Sequence, residues 1–292
     1  MYNQIDSNKR KTNILIIIFS MFIIAIGWFL NAYMGYGYGA VVLAVVVSVV
    51  MTLVSYYKGD SIALSSAGAK ETSKEENPYI YKMVENLAIT AGMPMPKVYV
   101  INSEALNAFA TGRDPEHSSI AVTTGIVKAL ENEELEGVLA HELSHIKNYD
   151  IRVMTIVVVL VGAISLLSNW FFRMRLFGGG KRDSNNNSSG IIMIVGLVLL
   201  ILSPIVANLI KLAISRKREY LADASGSLLT RYPEGLARAL EKISASNVPL
   251  QTANAATAHL FISNPFKKKA FSAMFSTHPP IEERIKKLRN MA

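Results

Sequence analysis

The sequence contains no cysteine and has few charged residues for its length. With no cysteine among 292 residues, a disulfide scaffold, thiolate metal ligands and a cysteine nucleophile are all excluded. Charged residues make up 18% of the chain, which is below the roughly 25% of ordinary soluble domains. The hydrophobic content of 51% excludes a disordered chain. The composition therefore predicts a membrane protein with one or two globular units.

Four apolar runs divide the chain, each close to the roughly 17–25 residues that a membrane-spanning helix needs. They cover residues 13–30, 40–57, 153–172 and 191–212. The first two enclose a short uncharged turn, and no signal-peptide cleavage pattern follows the first, so they predict a retained helical hairpin, residues 1–57. The last two predict a second membrane hairpin, residues 151–212, with a flexible loop at 173–190. Buried core helices of a soluble enzyme are the alternative for this second pair.

Two polar blocks, residues 58–150 and 213–292, lie outside these hairpins. In the first block, apolar spacing predicts a helix over residues 75–91. Two short β-branched segments, residues 97–101 and 119–123, predict strands. Asn132, which two glutamates follow, is a predicted N-cap of another helix. The second block predicts further helices.

The most informative residues are His141-Glu142-Leu143-Ser144-His145, inside the helix that begins near Asn132. Residues four apart lie on one helix face, so the two imidazoles lie about 5–6 Å apart at Cβ. That separation suits two ligands of one tetrahedral zinc. Glu142 is rotated by about 100° from His141 and lies beside the metal, where it is placed to take a proton from an activated water. The alternative is a helix with two surface histidines that bind no metal.

A catalytic zinc needs a third protein ligand and one open position. No third histidine follows shortly downstream, so the candidate is Glu219, with Asp223 one turn later on the same face. Taken alone, Glu219 among basic residues is typical of a solvated ion pair. His145 precedes the third apolar run and Glu219 follows the fourth, so unbroken helices place both roughly 10–12 Å outside the same side of the bilayer. Asp223 is expected to accept a hydrogen bond from a liganding imidazole.

The order of four motifs resembles that of the HtpX-type integral-membrane zinc endopeptidases, which are relatives of the CAAX prenyl endopeptidases. The motifs are HELSH at 141–145, the Glu219–Asp223 pair, NAFATG at 107–112 and THPP at 277–280. The resemblance covers essentially the whole chain, including the four-span layout. It implies an α-helical membrane protein with four transmembrane helices and an α+β, zincin-like (gluzincin) catalytic domain. That domain would consist of residues 58–150 and 213–292.

The resemblance also implies which residues act at the site. One zinc ion per chain would be bound by His141, His145 and Glu219, with Glu142 as the general base. An edge strand would pair with the substrate backbone; its residues are Asn107, Ala108, Phe109 and Ala110. Without the family, an ordinary turn after a strand is the better interpretation of that segment.

Three further histidines and one arginine are less well defined by the sequence. His278 and Arg284 lie where relatives place a histidine and an arginine near the metal, and the resemblance implies hydrogen bonds to the oxyanion of the tetrahedral intermediate. His278, which two prolines follow, is equally compatible with a helix-entry role. His117 and His259 have no partner pattern, and we expect both at the surface.

The distribution of basic residues predicts the orientation in the membrane. Lys9, Arg10 and Lys11 precede the first apolar run, so the positive-inside rule predicts a cytoplasmic N-terminus and a cytoplasmic block at residues 58–150. The loop at 173–190 carries four basic residues on the side expected to be outside. Either the rule is broken there, or the third and fourth segments enter the bilayer without crossing it.

These observations predict a multi-pass inner-membrane zinc metalloendopeptidase, a hydrolase that cleaves protein substrates at the cytoplasmic face. Its substrates are expected to be membrane proteins, and the resemblance implies quality control of misfolded ones under stress. The net charge of +8 and the cluster at 267–269 suit anionic lipids, and no nucleic-acid module is recognisable. The alternative is a catalytically inactive membrane scaffold or chaperone. The sequence gives no indication of oligomeric state.

Overall fold

The computed structural model describes residues 2–34, 37–177, 216–266 and 279–291. The elements within these residues are nine helices and a four-stranded sheet. The helices are α1 (Tyr2–Met34), α2 (Tyr38–Ser66), α3 (Pro78–Ala91), α4 (Thr124–Ala129), α5 (Asn132–Lys147), α6 (Asp150–Phe177), α7 (Arg216–Thr230), α8 (Pro233–Ala245) and α9 (Ile281–Arg289). The strands are β1 (Ala69–Glu71), β2 (Lys97–Ile101), β3 (Ala108–Asp114) and β4 (His117–Thr123).

Helices α1 and α2 form the predicted N-terminal hairpin. The segments Gln4–Phe29 and Tyr38–Ser66 are long and apolar enough to cross a membrane. Their surfaces expose large hydrophobic side chains, among them Ile17, Trp28 and Leu43, as expected for helices that face lipid. Helix α2 continues nine residues beyond the predicted boundary at residue 57. The last turn of α2 leaves the apolar run and packs Ala63 and Leu64 beneath the sheet.

The third apolar run lies in helix α6, but α5 and α6 are not one unbroken helix. Helix α5 ends at Lys147, Tyr149 adopts a left-handed φ of 59°, and α6 begins at Asp150. The two helices bend by 83° at this break. The expectation that one unbroken helix connects His145 to the third apolar run is therefore wrong. Helix α6 also continues through Phe177, past the predicted start of a loop at Arg173.

The four predicted transmembrane helices are not confirmed. Within the described ranges, two helices meet the criteria of a membrane span, or three if the bent α5–α6 pair counts as one. Residues 191–212, the fourth predicted span, and most of the 173–190 loop lie outside the described residues.

The first half of α6 is buried within the protein. Residues 153–161 are buried, and this segment packs against α1, α2 and the sheet. Met154 and Val158 contact the same cluster as Phe109 of β3 and Phe261. The apolar character of this stretch therefore reflects core packing as well as length.

The sheet has the strand order β1-β2-β4-β3. Strand β2 is parallel to β4, whereas β1 and β3 are antiparallel to their neighbours. Because β3 is last in the strand order, it lies at one edge of the sheet. One face packs on α3, α5 and α8, and the other on the ends of α2 and α6. The predictions of β2 and β4 are confirmed. Strand β1 was not predicted, and helix α3 begins at Pro78 rather than at residue 75, because proline is favoured in the first turn.

Helix α5 crosses the core beneath the sheet. Its N-cap is Glu131 rather than the predicted Asn132, and a capping box joins Glu131 to Glu134. The Glu134 side chain is buried and accepts a hydrogen bond from Lys242 of α8 at 2.7 Å. This ion pair fixes the N-terminal end of α5 against the C-terminal part of the chain.

Helices α5 and α7 approach one another closely at Gly226. A Cβ added there would lie 2.9 Å from the backbone nitrogen of His141 and 3.1 Å from the carbonyl carbon of Ala140. Gly226 is seven residues after Glu219, so it lies on the same face of α7. The missing side chain therefore allows Glu219 to reach the two histidines.

We expect Gly226→Ala to push α7 away from α5, because the added methyl group overlaps backbone atoms that cannot rotate aside. The expected cost is about 1–3 kcal/mol of stability, together with weaker metal binding. Thermal unfolding and metal titration of the full chain in detergent measure both. The matched control is Gly39→Ala, where the added Cβ meets no described atom within 4 Å. Equal behaviour of the two variants would show that the close contact has no role.

Candidate metal centre

The two histidines of α5 and the glutamate of α7 converge, as the sequence predicts. The Nε2 atoms of His141 and His145 are 3.1 Å apart, and they lie 3.9 and 3.6 Å from the Oε2 and Oε1 atoms of Glu219. All three side chains are buried, and their ligand atoms lie within 4.8 Å of one another. Tetrahedral zinc with bonds of about 2.0–2.1 Å would separate its ligand atoms by roughly 3.3 Å. The donor set therefore fits a zinc-sized ion.

Each imidazole is oriented by a carboxylate on its far side. Asp223 Oδ1 lies 3.0 Å from His141 Nδ1, and Asp150 Oδ2 lies 3.0 Å from His145 Nδ1. The His145–Asp150 contact is a hydrogen bond, whereas the His141–Asp223 contact is equally short but lacks hydrogen-bond geometry. With the proton of each imidazole on Nδ1, both Nε2 lone pairs face one another and Glu219. This arrangement brings electron pairs together unless a cation lies between them. Asp223 thus lies beside His141, and the hydrogen bond expected between the two side chains stays a prediction.

The charges around the ligands are unbalanced in favour of a cation. Four buried carboxylates and two buried guanidinium groups surround the neutral imidazoles, which leaves two negative charges. The carboxylates belong to Glu142, Asp150, Glu219 and Asp223, and the guanidinium groups to Arg218 and Arg284. A buried charge is costly unless it is paired. A divalent ion would neutralise the excess.

The charged neighbours also shift the pKa values of His145 and Asp223. Burial lowers the pKa of His145, but the hydrogen bond to Asp150 and the charge of Glu219 outweigh it and raise the pKa to about 9. Burial raises the pKa of Asp223, but the charge of Arg284 and the contact with His141 outweigh it and lower the pKa to about 2. A proton on His145 therefore supplies part of the missing positive charge, and metal binding has to displace it.

Glu142 lies inside the site, where the sequence places the general base. Its side chain is buried, and its negative charge raises the pKa of both His145 and Arg284. It is adjacent to His141 on α5 and is absent from the group of three that converges on one point. Glu142 thus adds a buried negative charge beside His145 and Arg284 without belonging to the three converging side chains.

Arg284 of α9 is the largest fully buried side chain described. Its Nε and Nη2 donate to the two oxygens of Asp223 at 2.9 and 2.7 Å, which is a bidentate pair. Its Nη1 lies 3.8 Å from Glu219 Oε2 and has no hydrogen-bond partner among the described atoms. Arg284 therefore holds Asp223 in place and leaves one donor directed toward the ligand set.

The predicted substrate strand is partly covered by the chain itself. The backbone oxygen of Ala108 accepts a hydrogen bond from Ile262 N at 3.0 Å. The Asn107 amide both donates to Ser263 O and accepts from Ser263 N. Phe109 packs its buried ring edge-on against Phe261. The segment 107–110 thus leads into an edge strand, but its first two residues already have partners.

The remaining histidines have different outcomes. His117 is exposed, as predicted, and contacts Asp114 at 2.7 Å. His259 is buried, with Nε2 3.0 Å from the backbone oxygen of Met154, so its predicted surface position is wrong. The tight packing of residues 257–263 beside β3 and α6 explains the difference. His278 lies outside the described residues.

Sequence reasoning missed three side chains that support the ligands, namely Asp150, Arg218 and Asn8. The position of Asp150, five residues after His145, offered a signal, because a carboxylate near a liganding histidine often binds its second nitrogen. Arg218 directly precedes Glu219 but resembles a solvated surface base. Asn8, near the start of α1, carries no signal in the sequence.

The sequence of this chain matches a peptidase family and two proteins named as proteases. Residues 74–292 match peptidase family M48. The chain belongs to that family, and it is a membrane-bound metalloprotease. A protein named Protease HtpX homolog from Caldanaerobacter subterraneus subsp. tengcongensis is 46% identical over 294 residues, 100% of this chain and 98% of the relative. The Protease HtpX homolog of Streptococcus pyogenes serotype M5 is 45% identical over 100% of both chains.

A solved structure shares the fold. The crystal structure of S. mikatae Ste24p superimposes with a TM-score of 0.51 at 23% identity, and it covers 99% of this chain and 67% of that one. The predicted resemblance to HtpX-type proteases is confirmed by the family match and by the two relatives of about 45% identity. The alternative of an inactive scaffold is not favoured, because the family is one of peptidases and the three ligand side chains converge.

We expect Arg284→Met to destabilise the protein by about 3–5 kcal/mol, because it leaves the buried Asp223 carboxylate without its cation. The matched control is Arg289→Met on the same helix, whose exposed guanidinium pairs with Glu234 and Glu241 and whose loss should have a much smaller effect. Thermal unfolding of both variants tests this expectation. Equal shifts in the unfolding midpoint would contradict it.

Proposed function

We propose that this metalloprotease is a zinc-dependent endopeptidase, in which His141, His145 and Glu219 bind one zinc ion. The observation that carries the proposal is the convergence of the three ligand atoms while both Nδ1 atoms face carboxylates. Two imidazoles and one carboxylate are the ligand set of catalytic zinc in several peptidases, and this set leaves a fourth position open. The excess of two buried negative charges supports a divalent ion.

Glu142 is proposed to move the proton during peptide hydrolysis. Zinc, when bound, supplies Lewis acidity that polarises the scissile carbonyl and activates water. The Glu142 carboxylate takes a proton from the attacking water and delivers it to the nitrogen of the leaving amine. Its burial beside the ligands keeps the carboxylate close to the scissile bond and away from bulk water.

Arg284 is proposed to stabilise the oxyanion with the Nη1 donor that its pair with Asp223 leaves over. A buried N–H without a partner is costly, and a developing negative charge is a strong acceptor for it. His278 is proposed to assist on the basis of the resemblance alone. Unchanged kcat in a folded Arg284→Lys variant, which keeps the charge but loses the fork, would reject the role of Arg284.

The substrate is proposed to pair with strand β3 at Ala110. The register places the backbone groups of Asn107 toward β4, so those of Ala108, Ala110 and Gly112 point to the outer edge. Ile262 already binds Ala108, and Thr155 of α6 binds Gly112. Ala110 lies between these contacts. Of residues 107–110, for which the resemblance implies pairing with the substrate backbone, Ala110 is therefore the proposed pairing position. A bound peptide that pairs elsewhere would disprove this assignment.

The site is proposed to act on membrane proteins at the cytoplasmic face of the inner membrane. Asn8 donates a hydrogen bond to Asp150, the carboxylate beside His145. It lies five residues before the first apolar run, or about 7.5 Å along a helix. The metal centre is therefore close to the end of that run. Basic residues before it support a cytoplasmic location, and the resemblance to HtpX-type proteases implies a role in quality control. Cleavage of an impermeant peptide by sealed right-side-out vesicles would contradict this orientation.

We expect Glu142→Gln to abolish measurable proteolysis while one metal ion per chain is retained. The variant removes the proton acceptor, which alone contributes about 10²–10⁴-fold, but leaves all three ligands. The measurements are cleavage of a model membrane protein by the full chain in proteoliposomes, its chelator sensitivity, and metal content. The matched control is Glu133→Gln, an exposed position on the same helix.

Glu133→Gln should cleave at the wild-type rate. Wild-type activity in Glu142→Gln would refute the proposed mechanism.

A further inference from the structure

Asn8, near the start of the first membrane helix, is buried among three polar partners. Its Nδ2 donates to Asp150 Oδ1 at 2.7 Å and to the backbone oxygen of Asn148 at 2.9 Å. Its Oδ1 accepts a hydrogen bond from Arg218 Nη1 at 3.3 Å. The side chain is 1% exposed, so both ends of the amide are used within the protein. The contacts join residues that are 140 to 210 positions apart in the chain.

Two partners of Asn8 connect it to proposed metal ligands, Asp150 to His145 and Arg218 to Glu219. Asp150 directs its other oxygen, Oδ2, to His145 Nδ1 at 3.0 Å. Arg218 directly precedes Glu219 on α7, and its Nη1 also reaches Asp150 Oδ1 at 3.3 Å. Asn8 therefore lies between the support of His145 and the first turn of the helix that carries Glu219.

The geometry gives Asn8 control over the direction of the Asp150 carboxylate. A carboxylate rotates as a plane, so the atom that binds one oxygen determines where the other one points. The 2.7 Å bond from Asn8 is the shortest contact to Oδ1 and is shorter than that from Arg218. Fixing Oδ1 in this way aims Oδ2 at the imidazole and holds the ring in its liganding orientation.

We propose that Asn8 is a positioning residue of the metal centre, through which the first membrane helix holds His145 in place by way of Asp150. The inference rests on the proposed metal site and goes beyond it, because it assigns part of that site to a helix otherwise read as an anchor. The first turns of α1 become a structural part of the peptidase.

The first test is the zinc affinity of the full-length protein in detergent, measured by competition with a chromogenic chelator. Asn8→Ala is expected to weaken zinc binding about tenfold, at the low end of the 10–100-fold typical for outer-shell partners of a ligand. Asn13→Ala is the matched control, because it removes the same side chain from an exposed position on the same helix. That variant should bind zinc as the wild type does.

A spectroscopic measurement separates positioning from loss of general stability. Cobalt(II) substituted for zinc reports ligand geometry through its visible bands. We expect altered bands in folded Asn8→Ala and unchanged bands in Asn13→Ala. Wild-type zinc affinity together with wild-type cobalt bands in Asn8→Ala would overturn the proposal.

The second test asks whether Asn8 acts through Asp150. If it does, the Asn8→Ala/Asp150→Asn double variant binds zinc no more weakly than Asp150→Asn alone, because the path is already broken. Additive losses would show that Asn8 acts independently and would contradict the proposal. If Asn8→Ala does not fold, Asn8→Ser, which keeps a small donor, replaces it in both comparisons with a smaller expected loss.

These experiments distinguish failure of the proposed metal site from failure of the positioning role of Asn8. A wild-type protein that binds no metal, or that binds it without His141 and His145, would refute the proposed metal site. A wild-type protein that binds zinc through those residues, with an affinity and cobalt bands that Asn8→Ala leaves unchanged, would refute only the role of Asn8.

Discussion

The metal centre depends on the close approach of helices α5 and α7. Neither helix holds a complete ligand set: α5 supplies two imidazoles and α7 one carboxylate. Their contact at Gly226, where backbone meets backbone, sets the distance between Nε2 and the Glu219 oxygens. The capping box of α5, the Glu134–Lys242 pair and the packing of α8 all maintain that approach.

The site is also a region of unusually concentrated buried charge. In most cores, ionised side chains are rare because burial opposes them. Here the carboxylates bind imidazoles and guanidinium groups, and the remaining imbalance has the sign and size of a divalent ion. Arg284 forms a bidentate pair with Asp223, the carboxylate beside His141. Arg218 makes a single 3.3 Å contact with Asp150, the carboxylate beside His145, and Asn8 binds the same oxygen at 2.7 Å.

Much of this site can be predicted from the sequence, and the parts that cannot are long-range contacts. The HELSH motif predicts two ligands and a general base because one helix turn determines the relative positions of these side chains. Strand β3 could not be found from its residues alone, since small residues and a glycine do not form the usual β-branched pattern. The bend at Tyr149 and the burial of His259 were missed because no glycine or proline marks the former and tertiary packing alone causes the latter.

The membrane helices and the catalytic domain form one structure in this protein. Helix α6 has its first half inside the protein core, and α1 reaches the carboxylate behind His145. The central claim, that His141, His145 and Glu219 together bind one zinc ion, is tested most directly by metal analysis of the purified full-length protein. We expect close to one zinc per chain in the wild type and almost none in Glu219→Ala. Equal zinc content in both would contradict it.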